Sequence, residues 1–161
     1  MLLSKSYKIP EQLSNEHFHF EVLGPEFSKL DYEAVMSSKE RLRHVFAENS
    51  KWPETDMSFE SNKNDLIRHE KEFNEREAFA YAVLNSTKSR YIGCIYINPT
   101  DHLDYDCEVY LWVKDSKVEL DDILFSTVKD WLNKDWPFKR CAYPGRTIGW
   151  KDWGKKLQFL N

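Results

Sequence analysis

The side chains best suited to chemistry lie close together near residue 108. Asp106, Glu108 and Tyr110 alternate with apolar residues, so they fall on one face of a predicted strand. Carboxylates and a phenol can take up or donate a proton, which makes general acid–base chemistry available there. Alternatively, Glu108 is an exposed strand residue paired with a neighbouring Lys or Arg. The residue types alone leave both interpretations open.

Other clusters contain metal-ligand or nucleophile residue types in less specific patterns. The acidic turn Asp101–Asp106 lacks the glycine and the terminal Glu of a calcium loop, so we expect a solvated hairpin turn. His17 and His19 share a strand face without a third ligand nearby, which predicts a solvated face rather than a metal site. No G-x-S-x-G elbow occurs in the sequence. The sequence therefore predicts no metal site and no serine-hydrolase site.

Three predicted strands and a long helix would position the face that carries Glu108. Residues 78–84 form a near-continuous apolar run, and polar turns separate this run from predicted strands at 90–97 and 106–113. Seven residues at helical spacing then predict an amphipathic helix: Leu120, Ile123, Leu124, Thr127, Val128, Trp131 and Leu132. A short strand over 138–143 ends at Pro144-Gly145, followed by a tight turn with an exposed Arg146.

The first half is predicted to be mostly helical. One strand covers residues 17–23 and stops at Gly24-Pro25. Helical spacing over 28–49, interrupted at Ser37-Ser38, predicts two helices, the second of them capped by Ser38. A further helix begins at Ser58 or Ser61 and runs to about residue 77.

Length and charge limit the class of protein. A chain of 161 residues is predicted to form a single domain, residues 1–161, of the α/β (α+β) class. A net charge of −4 gives no field that attracts nucleic acid or an anionic membrane. Without an apolar run long enough for a signal peptide or a membrane span, we expect a cytoplasmic protein. The three cysteines are expected to be buried, reduced thiols.

The order of elements resembles the GNAT superfamily of N-acetyltransferases. Residues 91–97 resemble the family's third strand, with an apolar-Gly-apolar step at Gly93, and residues 107–113 resemble its fourth. Leu157-Gln158-Phe159 resembles the Leu-Gly-Phe that ends the family's fourth helix. The resemblance implies a mixed, mostly antiparallel sheet flanked by helices. Because the sequence stops at Asn161, the family's last two strands are expected to be missing, which leaves the site open or completed by a second subunit in a homodimer.

The resemblance also implies a function, namely acetyl transfer from acetyl-CoA to the amine of a small molecule or peptide. Family members often use a carboxylate on the fourth strand as the base, which assigns this role to Glu108 with Tyr110 beside it. The remaining implied contacts are with the cofactor, at Trp112, Val113, Lys114, Ser116 and Lys117, and with the acceptor, at Tyr96 and Tyr105.

Two departures from the family pattern suggest other functions. The loop after the family's fourth strand uses glycines to bind a pyrophosphate, whereas residues 114–119 contain none. Four carboxylates, which ordinary helix capping would also explain, surround this junction instead: Asp115, Glu119, Asp121 and Asp122. Gly154 stands where many members have a Tyr as general acid. A non-catalytic GNAT-like binding or regulatory domain is therefore the second hypothesis, and an unrelated α+β domain that binds an apolar ligand is the third.

Overall fold

The structure of the protein is a computed structural model that describes residues 1–158, with side chains described up to residue 154. One six-stranded sheet runs in chain order: β1 Gln12–Ser14, β2 Phe18–Val22, β3 Phe79–Asn85, β4 Tyr91–Asn98, β5 Cys107–Val113 and β6 Cys141–Ala142. The helices are α1 Ser28–Ser37, α2 Lys39–Leu42, α3 Phe59–Asn74, α4 Asp121–Asp135 and α5 Trp150–Gln158. Short 3-10 helices cover Pro25–Phe27 and Asp115–Leu120.

The sheet is antiparallel except at its last pair, where β6 runs parallel to β5. This confirms the predicted mixed, mostly antiparallel architecture. In the described part of the chain, no strand follows β6. The predicted match at Leu157–Phe159 extends beyond the described residues.

Helices cover both faces of the sheet, which explains why β3, β4 and β5 are almost wholly apolar. On one face, α4 packs Leu124, Val128 and Trp131 against the strands. On the other face, α1 contributes Ala34 and Val35, and Leu42 and Leu66 join them. A strand that is buried on both faces must carry apolar residues at consecutive positions.

Gly93 in β4 permits the close approach of β5. A Cβ atom at this position would lie 1.8 Å from the carbonyl oxygen of Trp112. The clash involves backbone atoms of a buried strand, so no side-chain movement can relieve it. Only glycine fits between these two strands at this position.

We therefore expect Gly93→Ala to destabilise the fold by about 3 kcal/mol, at the upper end of the usual cost of overpacking. Gly149→Ala is the matched control because a Cβ there meets no atom within 4 Å. Denaturant unfolding of both variants measures the difference. Equal stabilities would show that β4 and β5 do not approach as described.

Two local predictions were wrong. His19 is buried, at 1% exposure, because β2 lies inside the sheet between β1 and β3, and its Nδ1 lies 2.5 Å from Ser14 Oγ. The second helix ends at Leu42 instead of continuing to residue 49. The chain turns there, and the Phe46 ring packs between the rings of Tyr96 and Tyr110.

No helix within the described residues combines the length and the apolar character that crossing a membrane requires.

Candidate functional site

The strands β5 and β6 separate soon after they meet, and this opens a cleft at the edge of β5. They pair only at Cys107–Cys141 and Glu108–Ala142. Pro144 follows almost at once and has no N–H to continue the ladder. The predicted strand over 138–143 is therefore reduced to two residues, and the edge of β5 beyond Glu108 faces the cleft.

Arg146 reaches from the turn after β6 into this cleft. Its guanidinium donates to both carboxylate oxygens of Asp121, at 2.7 and 2.9 Å, and to the carbonyl of Leu111 at 3.2 Å. The side chain is only 23% exposed. The prediction of a surface arginine was wrong, because the turn directs this side chain across the cleft toward α4.

The junction between β5 and α4 has much of its hydrogen-bonding capacity satisfied within the protein. The N–H of Asp115 donates to Ser38 Oγ at 2.8 Å, and the N–H of Lys117 donates to the carbonyl of Lys114. Ser38 was predicted to cap α2, but its side chain makes no cap hydrogen bond there. Free backbone N–H groups at such a junction can bind a pyrophosphate, but these two already donate within the protein.

A second arginine lies at the same junction. Arg41 donates from Nε to Asp115 Oδ1 at 2.7 Å and from Nη2 to the carbonyl of Val113. Two of the four carboxylates, Asp115 and Asp121, therefore pair with arginines rather than capping α4, whose start has no side-chain cap.

The cleft encloses a cavity of about 430 Å³ between β5, the start of α4 and the turn after β6. Leu111 and Val113 point their carbonyls into this edge, toward Arg146 and Arg41. In an antiparallel strand the N–H and C=O of one residue point the same way, so their N–H groups face the edge as well. An extended molecule that carries amide groups could pair with such an edge as a strand does.

Glu108 and Tyr110 lie next to each other where this cleft meets a second cavity. Burial raises the pKa of Glu108 above its ordinary value, although hydrogen bonds from Tyr110 and Thr100 partly counteract this. Burial and the neighbouring carboxylate raise the pKa of the Tyr110 hydroxyl, which therefore stays protonated at neutral pH. The pair combines a proton acceptor whose affinity for a proton is increased with a neutral hydrogen-bond donor.

The second cavity, of about 660 Å³, lies on the other side of Tyr110. Trp150 stacks on the Tyr110 ring with centroids 6.5 Å apart and planes inclined by 10°. Gly154 contributes to the wall without a side chain, and a Cβ there would meet no atom within 4 Å. Tyr110 therefore separates two cavities, one at the strand edge and one between aromatic side chains.

The structure brings together some of the predicted site residues and separates others. Glu108 and Tyr110 line the second cavity, and Tyr110 also lines the cleft. Val113 is buried and lines neither cavity, but its carbonyl accepts a hydrogen bond from Arg41, which lines the cleft. Trp112 is fully buried and donates from Nε1 to the Tyr96 hydroxyl at 3.1 Å, so its ring is part of the core. The others lie elsewhere: Lys114 and Ser116 line a separate groove beside α1, Lys117 pairs with Glu119, and Tyr105 packs on Trp153.

Sequence reasoning missed several residues of this region. Phe46 follows helical spacing and was assigned to a helix, yet it contacts Trp52, Tyr96 and Tyr110. Arg146 looked like a turn residue because its partner Asp121 is 25 positions away. Local spacing could not reveal either contact.

Comparisons with known proteins find similarity in structure alone. No protein-family model matches the sequence, and a search of curated proteins finds no match. Among solved structures, the ribosomal-protein-S5-alanine acetyltransferase of Vibrio fischeri superposes with a TM-score of 0.64 at 14% identity, over 93% of this chain and 81% of that chain.

Two further structures have the same architecture. The Microcin C7 self-immunity acetyltransferase MccE, solved with acetyl-CoA and AMP, gives a TM-score of 0.62 at 12% identity, over 78% of this chain and 67% of its own. FdhC, described as a nucleotide-linked sugar GNAT, gives a TM-score of 0.59 at 7% identity, over 84% of this chain and 72% of its own. With its six-stranded, mostly antiparallel sheet and its flanking helices, the protein therefore has the GNAT N-acetyltransferase fold.

Proposed function

We propose that the protein is an acyl-CoA-dependent N-acyltransferase that transfers the acetyl group of acetyl-CoA to an amine. The observation that carries this proposal is the position of the Glu108–Tyr110 pair between the open edge of β5 and an aromatic-walled cavity. Acyl transfer to an amine needs a base, a donor for the carbonyl and separate spaces for the two reactants. Here Glu108 would be the base, the N–H of Leu111 at the edge of β5 would be the donor, and the two cavities would be the separate spaces.

The chain offers a partial fit for acetyl-CoA. The edge of β5 lines the cleft at Leu111 and suits the amide-bearing arm, and the guanidinium groups of Arg41 and Arg146 suit phosphate oxygens. The junction suits a pyrophosphate less well, because N–H groups of Asp115 and Lys117 are already used. The phosphates would therefore rely on arginines where GNAT relatives are expected to use a glycine-rich loop. When bound, acetyl-CoA supplies an acetyl group activated as a thioester.

Side chains of the protein would accept the proton that the acceptor amine loses. Glu108 accepts the proton that the acceptor ammonium must lose, and its raised pKa makes it a stronger base than an exposed Glu. The Tyr110 hydroxyl donates to Glu108 and orients its carboxylate. The rings of Phe46 and Trp150 contact the Tyr110 ring and line the cavity beside it, which reduces the space for water at this position.

The direct test is product formation. The protein is incubated with acetyl-CoA and a panel of small amines and short peptides, and acetylated products and free CoA thiol are measured together. The proposal expects equal amounts of both with at least one acceptor. Thiol release without any acetylated amine, or no release above the blank across the panel, would contradict it.

The pH dependence of turnover should reflect Glu108. Because burial raises its pKa above 4.5, the carboxylate is available as a base above the raised pKa and is lost as the pH falls through it. The expected kcat profile therefore decreases on the acid side, with an inflection above the range of an exposed Glu. The inflection should stay in place for two acceptors whose amines differ in pKa. An inflection that follows the acceptor would remove Glu108 as its source.

One observation favours the non-catalytic alternative. Asp121 and Asp122 lie at the start of α4 beside the cleft, where they repel an anion. The ion pair with Asp121 also leaves the Arg146 guanidinium less able to bind a phosphate. A GNAT-like domain that binds an amine without acetyl-CoA would have this property. Amine binding that persists with no detectable affinity for acetyl-CoA would favour this second function.

A further inference from the structure

A third cavity adjoins the site on the side of β4. It measures about 560 Å³ and lies between α3, the end of β4 and the turn after α2. Phe46 and Pro99 line both this cavity and the one beside Glu108. Asn98 in its wall pairs directly with Glu108 across β4 and β5, so the two cavities are neighbours over one face of the sheet.

The cavity carries an excess of negative charge. Among the described side chains that line it, four are carboxylates and one is a guanidinium: Asp31, Asp65, Glu72, Glu77 and Arg68. Arg68 is shared between Asp65, at 3.5 Å, and Glu72, at 2.8 Å. Burial and Arg68 lower the pKa of His69, so this ring adds no positive charge at neutral pH.

Asp31 is the most buried carboxylate of this wall, and burial raises its pKa, so it contributes less negative charge than the other three. It is 2% exposed, and its oxygens accept hydrogen bonds from Asn62 Nδ2 and the Tyr91 hydroxyl, both at 2.7 Å. Both donors are neutral, so they satisfy its hydrogen-bonding capacity without balancing its charge. Asp65, Glu72 and Glu77 therefore supply the negative charge of the wall, and a cation in the cavity would in turn favour the ionised form of Asp31.

Aromatic rings form another part of the wall. Phe46 meets Trp52 and Tyr96 with centroids 5.1 and 5.0 Å apart, and all three line the cavity. The faces of such rings attract ammonium and guanidinium groups. Carboxylates and aromatic faces around one space therefore select a cation and disfavour anions or purely apolar groups.

From these contacts we infer that the acceptor is a dication, with its reacting amine at Glu108 and a second ammonium or guanidinium group in this third cavity. The inference rests on the proposed acyl transfer and specifies its acceptor. The cavity extends from β4 to Ala78, next to the start of β3, so its far end lies about two strand spacings, or roughly 10 Å, from β5. An extended diamine or a short peptide with a basic side chain spans most of this distance.

Binding and turnover with matched ligands test the inference. Hexamethylenediamine is compared with aminohexanol, in which a neutral hydroxyl replaces the second amine, and Gly-Lys amide with Gly-norleucine amide. Calorimetry without acetyl-CoA gives Kd, and the transfer assay gives kcat/KM. We expect the dication of at least one pair to be favoured by roughly tenfold or more in both measurements. The pair that shows the preference identifies a free polyamine or a peptide as the source.

Variants of the cavity wall provide the control. Glu72→Gln and Glu77→Gln should each reduce the preference for the dication several-fold. Glu75→Gln should leave it unchanged, because Glu75 pairs with Lys71 on the surface and does not line the cavity. Equal binding of the dication and its singly charged analogue in both pairs would overturn the inference, even if both ligands were acetylated. If the dication binds more tightly but no acetyl group is transferred, the cation site is supported and only the proposed activity is overturned.

Discussion

Glu108→Gln is expected to lower kcat for acyl transfer by roughly 100- to 10,000-fold, the usual contribution of a general base. The amide keeps the shape of the side chain and its contact with Tyr110 but cannot accept a proton at neutral pH. The dissociation constant for acetyl-CoA should remain within about twofold, because the proposed cofactor contacts involve the edge of β5 and the arginines. Steady-state kinetics and calorimetry measure the two effects separately.

Glu21→Gln is the matched control for this experiment. Glu21 is also a partly exposed Glu on a strand, with 39% side-chain exposure, but it lies on β2 beside His19. Its replacement should leave kcat unchanged. If Glu108→Gln and Glu21→Gln give the same turnover as the original protein, Glu108 is not the base.

Arg146→Gln should weaken acetyl-CoA binding by roughly 10- to 100-fold, which corresponds to one lost charge-assisted hydrogen bond. The guanidinium lies at the mouth of the cleft and balances the carboxylates of α4. Without it, Asp121 and Asp122 would repel the phosphates. For the same reason, Asp122→Asn should strengthen binding, by about fivefold if the removed repulsion is about 1 kcal/mol.

Arg140→Gln separates this effect from a general loss of stability. Arg140 also pairs with a carboxylate, Asp106 at 3.0 Å, and donates to the Leu103 carbonyl, but it does not line the cleft. Both arginine variants lose an ion pair, and only Arg146→Gln should lose affinity. If neither Arg146→Gln nor Asp122→Asn changes the affinity for acetyl-CoA, the phosphates bind elsewhere.

The strands and the long helix could be predicted because their signals are local. Residues 78–84 and 107–113 are apolar at nearly every position because both faces of the sheet are covered. Spacing over 120–132 predicted α4, whose buried residues include Leu124, Val128 and Trp131. The final strand was predicted over 138–143, but β6 covers only Cys141–Ala142, because its pairing with β5 ends after two residues.

The candidate site was only partly predictable, because its polar contacts join distant parts of the chain. Glu108 and Tyr110 lie two positions apart on one strand, so alternation alone placed them on one face. The hydrogen bond from the Asp115 N–H to Ser38 joins residues 77 positions apart, and nothing in either segment indicates it. The burial of Arg146 depends in the same way on where the turn after β6 lies relative to α4.

Binding of acetyl-CoA at the edge of β5 is the central claim, and thermal unfolding with increasing cofactor tests it most directly. At a concentration one hundred times Kd, a ligand that binds only the folded state adds about 2.7 kcal/mol of stability. For a chain of this size, that raises Tm by about 5–10 °C. The account predicts such a rise at submillimolar acetyl-CoA and a clearly smaller one for Arg146→Gln at the same concentration. An unchanged Tm at millimolar acetyl-CoA would contradict it.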